Sequence, residues 1–271
     1  MMSSLLSVVR RHPIVTFFVL TYAISWGGLL FESVGFLPSG PFFAALIVIP
    51  VTQGVAGLKE LGLRIIRWRV RWYWYVAALG VPLAVHLAYA GINVAAGAGV
   101  PSITFMSLTT FLMAFALRMV NPADGPLGEH PGWNGVVLPG LQGAGYSPLL
   151  ATAILAPLVA LWHLPLFFME GGGFVVSVVV AGLVITMSVT FWYAWLFNRT
   201  GGSILLVVIA HNVEGLIQYE FGWIVMGLWL AVAIGLIVFD WKAWRAPAPA
   251  PATTPPPKPI PPGGAAPATP A

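Results

Sequence analysis

The sequence predicts an all-α protein, a multi-pass transmembrane bundle of about eight spanning helices. Three observations carry that expectation. Hydrophobic residues make up 59% of the 271 positions and charged residues only 7%, against roughly 25% charged in soluble proteins. The mean hydropathy is +0.90. The apolar residues also come in long runs without the period-2 alternation of barrel strands. Such a chain cannot cover itself with a water-facing surface, which excludes soluble enzymes, nucleic-acid binders and disordered regulators, so no nucleic-acid partner is expected. The absence of cysteine excludes disulfides, thiolate metal sites and a cysteine nucleophile.

Crossing a hydrocarbon core of about 30 Å takes roughly 20 apolar residues in a helix, and only helices or closed barrels satisfy their backbone in lipid. The first run, 14–31, follows Arg10 and Arg11. It is too long for a signal-peptide core and no small-residue cleavage motif follows, so it reads as a retained span. Runs 42–58 and 73–97 flank Leu58–Trp74, whose Arg and Trp content suits the cytoplasmic interface. Run 103–120 stops at Pro122–Pro126, and a new helical leg is expected near Leu127. A second break at 143–147 precedes run 148–168, and runs 175–197, 203–219 and 222–240 complete the eight. Residues 1–245 thus form the membrane-embedded body. Residues 246–271 hold eleven of the twenty-four prolines, alternating with alanine, and are expected to be a disordered tail.

Orientation follows from the basic residues. With eight crossings, all twelve Lys and Arg, from Arg10 to Lys258, fall on the side of the N-terminus, while the loops near Glu32, Pro101, Glu170 and Glu220 carry none. Both ends are therefore expected in the cytoplasm, with the protein in the cell membrane and lipid as its surroundings.

Ionisable side chains inside spans are costly and mark function by default. Glu129, His163, His211 and Glu214 stand out, with His130 and Asn134 beside the first. From Glu129 to Gly143 is fourteen residues and from Pro148 to His163 fifteen, so each leg is about 21–23 Å long. An antiparallel hairpin pivoting on 143–147 would bring Glu129 level with His163, and a carboxylate beside an imidazole can activate water as a general base. Glu214 lies three residues beyond His211, on roughly the same helix face. A lone buried histidine such as His86 is often structural, bonded to a neighbouring carbonyl. A metal held by Glu129, His163 and His211 is chemically allowed, but no HExxH spacing supports one, so no cofactor is expected.

These motifs have a known counterpart. The lines Pro126-Leu-Gly-Glu-His-Pro-Gly-Trp-Asn-Gly135, Leu161-Trp-His-Leu-Pro-Leu-Phe167 and Thr200-Gly-Gly-Ser203 followed by His211 resemble the CPBP family of intramembrane proteases. That family includes the type II CAAX prenyl endopeptidases and the bacteriocin-processing and self-immunity proteins, and its motifs are EExxxR, FxxxH and HxxxN or HxxxD. The resemblance covers most of residues 12–240, with the tail outside it. It implies a peptide or membrane-protein substrate cleaved near the interface, with Glu129 and His163 activating water and His211 supporting the oxyanion. The chain departs from the pattern at four positions. His130 replaces the second glutamate and Asn134 the arginine, Val159 stands for the phenylalanine, and Gly215 for the asparagine. Positions 130 and 134 are four apart, so losing both members of an ion pair together strands neither. Gly215 removes a group worth about 2.7–4 kcal/mol of barrier if it were an oxyanion donor, and Asn212 and Asn134 are the nearby amides that could replace it.

Three readings follow: an intramembrane endopeptidase; a catalytically impaired relative that binds and holds a membrane partner; and a small carrier using His163, His211 and Glu214 as a proton relay. The last lacks the repeated halves that carriers show.

Overall fold

A computed structural model describes residues 2–31, 35–99, 107–170, 175–217 and 222–246, and among these every regular element is a helix, with no strand. The tail from 247 onward and the loop positions Glu32, Pro101 and Glu220 lie outside the described residues. The chain is a multi-pass helical bundle. Five stretches are long and apolar enough to cross a membrane: Pro13–Leu30, Gly40–Ile65, Tyr73–Ala95, Pro148–Met169 and Val176–Arg199. The other three expected spans are helical but shorter, with 13, 13 and 17 residues. Length alone therefore supports five of the eight crossings.

In order the helices are α1 (Met2–Arg11), α2 (Pro13–Gly27), α3 (Gly40–Ile65), α4 (Tyr73–Ala95), α5 (Leu108–Val120), α6 (Gly125–Gly132), α7 (Leu138–Gly143), α8 (Pro148–Glu170), α9 (Val176–Arg199), α10 (Ile204–Leu216), α11 (Trp223–Phe239) and α12 (Trp241–Arg245). Pro13 opens α2 at a position where its missing N–H costs nothing. Within α3 the backbone breaks at Gly54, whose φ of 65° is left-handed. The Arg- and Trp-rich stretch thus begins as a separate helical leg before the chain leaves the helix at Ile66.

The new leg after the proline break starts at Gly125, two residues earlier than expected, because Asp124 caps it: the Gly125 N–H donates to Asp124 Oδ1 at 2.7 Å. Almost all of α6 is buried, so this segment runs through the bundle interior. Small residues let it approach closely. A Cβ on Gly132 would lie 2.6 Å from Pro41 Cβ and 2.7 Å from the Phe17 ring, so α3 and α2 press directly on the α6 backbone. Between α6 and α7 the helix widens into a π-helical turn, Trp133–Val137. Pro139 has no N–H to return to the Gly135 carbonyl, so the regular ladder cannot continue there.

The helix carrying His163 is fastened to α2 by two bonds across the bundle. Tyr22 Oη donates to the Leu158 carbonyl at 2.6 Å, and Trp26 Nε1 donates to the Trp162 carbonyl at 3.0 Å. Between α9 and α10 the chain reverses through Gly201 and Gly202, both at positive φ. Ser203 then caps α10, accepting from the Leu206 N–H, and its hydroxyl donates to the Arg67 carbonyl at 2.7 Å. At the far end of α10, His86 of α4 sits 2.7 Å from the Pro82 carbonyl and 2.6 Å from the Ile217 carbonyl. Trp162, Trp192 and Trp229, all fully buried, fill the space between these helices.

Candidate active site

α6, α8, α9 and α10 enclose a cavity of about 170 Å³ lined by Glu129, His130, Trp133, Asn134, His163, Tyr193, His211 and Glu214, with Leu155, Val159 and Ile185 on its apolar wall. That is room for several waters. The equal legs of the α6–α8 hairpin do place Glu129 against His163: Oε2 and Nε2 are 3.8 Å apart. This is too long for a direct hydrogen bond, but one water can reach both atoms. The other nitrogen of His163, Nδ1, lies 2.9 Å from the Val159 carbonyl one turn back. Nδ1–H donates to that oxygen, so the neutral ring offers an unprotonated Nε2 to the cavity. The ring is wedged edge-on against Trp162, with centroids 4.6 Å apart.

His211 approaches from the opposite side. A Cβ on Gly125 would lie 3.0 Å from Glu129 Oε1 and 3.8 Å from His211 Nε2. Both groups therefore close on one point, and that point is open because residue 125 has no side chain. Behind His211 runs a buried chain: Asn134 Oδ1 lies 2.8 Å from His130 Nδ1, and His130 Nε2 lies 2.9 Å from His211 Nδ1. The Tyr193 ring packs against both imidazoles, 4.8 Å from His130 and 5.5 Å from His211.

Two neutral protonation patterns satisfy this chain. With the Asn134 oxygen accepting from His130 Nδ1–H, His130 Nε2 accepts from His211 Nδ1–H, and His211 Nε2 carries no proton. A half-turn of the amide reverses both bonds. The amide NH₂ then donates to His130, His130 Nε2–H donates to His211 Nδ1, and His211 Nε2–H becomes a donor facing the cavity. Asn134 thus selects whether His211 accepts or donates.

The remaining sequence candidates separate. Glu214 lines the cavity. Asn212 does not: it is fully buried, and its amide nitrogen lies 3.4 Å from the Phe115 carbonyl of α5, so it cannot replace a missing donor in the cavity. Gly215 packs against Arg118 of α5. Among the described residues no group of three or more His, Asp or Glu is placed to hold a metal ion. Glu129, His163 and His211 as they stand do not form such a set. Sequence reasoning missed Tyr193, Gly125 and Asp124. Tyr193 carries no signal in an aromatic-rich span, whereas an Asp directly before the Gly-Pro of a new helix is a readable cap.

Residues 108–217, from α5 to the end of α10, match a family model described as Rce1-like, type II CAAX prenyl endopeptidase. That segment contains every polar residue of the cavity. Over it, the chain is similar to a protease family. The match bears out the family resemblance seen in the motifs, and none of the curated proteins matches the chain.

Proposed function

We propose that the protein is an intramembrane endopeptidase that hydrolyses a peptide bond near the cytoplasmic membrane interface. The observation that carries this reading is the 3.8 Å approach of Glu129 to His163 across a cavity that His211 also faces. A water held between Glu129 Oε2 and His163 Nε2 gives one proton to the carboxylate as its oxygen attacks the scissile carbonyl carbon. Negative charge moves onto the carbonyl oxygen, where His211 Nε2–H, in the tautomer set by a donating Asn134 amide, supports it. As the C–N bond breaks, the proton held by Glu129 passes to the leaving amine, and the carboxylate is restored. General-base assistance of this kind contributes about 10²–10⁴ in rate, and one oxyanion donor about 10²–10³.

The same reading places residues 1–245 in the cell membrane with both ends cytoplasmic, since that arrangement puts all twelve basic residues on one side. All the residues given a role in this reaction lie within 1–245, and none in the Pro/Ala-rich stretch 246–271. The substrate is a peptide or membrane protein reached from the lipid, and neither a cofactor nor a nucleic acid takes part.

A second reading is favoured by one observation. Asn212 faces α5, and position 215 offers no side chain, so a protein that keeps the polar cavity could bind a membrane partner without cleaving it. Purified full-length protein in nanodiscs, offered membrane-anchored reporter peptides, separates the two. The peptidase reading expects cleavage that Glu129→Gln abolishes while the thermal unfolding profile is kept. An inert wild type that still captures the peptides supports the binding reading instead.

A further inference from the structure

Gly215 stands where the family motif has an asparagine, and it is not simply an empty position. A Cβ there would lie 3.0 Å from Arg118 Nη2, 3.2 Å from Nη1 and 3.5 Å from Cζ. The guanidinium of α5 therefore turns its two-nitrogen edge towards the place that a side chain at 215 would occupy. Its Nε is 3.3 Å from Asp124 Oδ2, an ion pair without hydrogen-bond geometry, and the arginine side chain is only 16% exposed. Asp124 is also the cap of α6, the helix that carries Glu129. Gly215 is about one helical turn from His211, so Arg118 stands beside the helix that carries His211 and, through Asp124, beside the one that carries Glu129. A plainer role is available, since a cation beside the C-terminal end of α10 offsets the helix dipole. That role has no reason to depend on what stands at 215.

We propose that Arg118 and Gly215 are an exchanged pair, in which the guanidinium takes over both the space and the charge-stabilising task of the asparagine that this chain lacks. Arg118 is a positioning cation for the hydrolysis proposed above, and the inference rests on that reading. Its planar cation favours the state in which negative charge has built up on the carbonyl oxygen. An asparagine introduced at 215 has to push it aside.

The test uses the full chain in nanodiscs as wild type, Arg118→Met, Arg118→Lys, Gly215→Asn and the double variant Arg118→Met with Gly215→Asn, each measured for cleavage and for Tm. Arg118→Met should lower kcat by about 10²-fold and leave KM nearly unchanged, and Arg118→Lys should keep most of the rate. Gly215→Asn should lower both Tm and kcat, and the double variant should recover both. A folded Arg118→Met protein with wild-type kcat, or Gly215→Asn effects that are the same with and without Arg118, would overturn the exchange. An inert wild type refutes the peptidase reading separately. The dependence of the Gly215→Asn change in Tm on Arg118 then decides the pairing by itself: its presence supports the pair, and its absence overturns it.

Discussion

The two walls of the cavity are built on different plans. On one, Glu129 and His163 face each other from α6 and α8, and both residues match the family motifs. His163 is oriented by its own helix, through Val159. On the other, His211 is oriented by residues that depart from the motifs: His130 and Asn134 hold it from behind, and Arg118 covers Gly215 one turn along. Three of the four departures gather on this second wall, while Val159 lies in α8 on the first. Each of the three touches another residue that could make up for it, which is what a buried polar network demands, because a half-satisfied network costs more than none.

The largest effect should come from undoing half of one such pair. His130→Glu places a carboxylate against Tyr193 and His211 with no cation at 134. A stranded buried charge of this kind costs about 3 kcal/mol, seen as a fall in Tm, and adding Asn134→Arg should return much of it. Equal Tm values for the single and double variants would show that the two positions do not act together. Next comes the packing that holds the conforming wall in place. Gly132→Ala puts a Cβ within 2.7 Å of the Pro41 carbonyl oxygen and the Phe17 ring. Overpacking costs about 1–3 kcal/mol, so Tm and cleavage should fall together as α6 is pushed from α3. The smallest effect belongs to the relay. Asn134→Leu leaves the fold intact but frees His130 to take either tautomer. kcat should drop by about tenfold, roughly 1.4 kcal/mol, with KM kept, and the ¹⁵N shifts of the His211 ring should move from one tautomer towards a mixture. Unchanged ¹⁵N shifts would show that Asn134 does not set the proton on His211.

Much of this was legible in the sequence for simple reasons. The fold class follows from apolar runs long enough to span lipid, and the level of Glu129 with His163 follows from two helical legs of equal rise on either side of a Gly-rich turn. What stayed hidden depends on helix rotation and close approach. The π-helical turn at Trp133–Val137 changes which residues of α6 and α7 face inward. Nothing in the spacing of His130 and His211, eighty-one residues apart, shows that their rings meet. Arg118 reads as an orientation signal when counted with the other basic residues, and only its contacts with Gly215 and Asp124 link it to the helices that carry His211 and Glu129. Asn212, adjacent to His211, reads as a candidate donor, yet successive helix positions point about 100° apart, which turns it towards α5.

The central claim is that Glu129 and His163 act on one shared water. A double-mutant cycle in cleavage tests it most directly, using Glu129→Gln, His163→Gln and both together in folded, full-length protein. Groups that act as a unit are strongly non-additive. The double variant should therefore be no slower than the worse single one, each having lost about 10²–10⁴ in kcat. Losses that multiply, or a His163→Gln protein that cleaves at the wild-type rate, would contradict it.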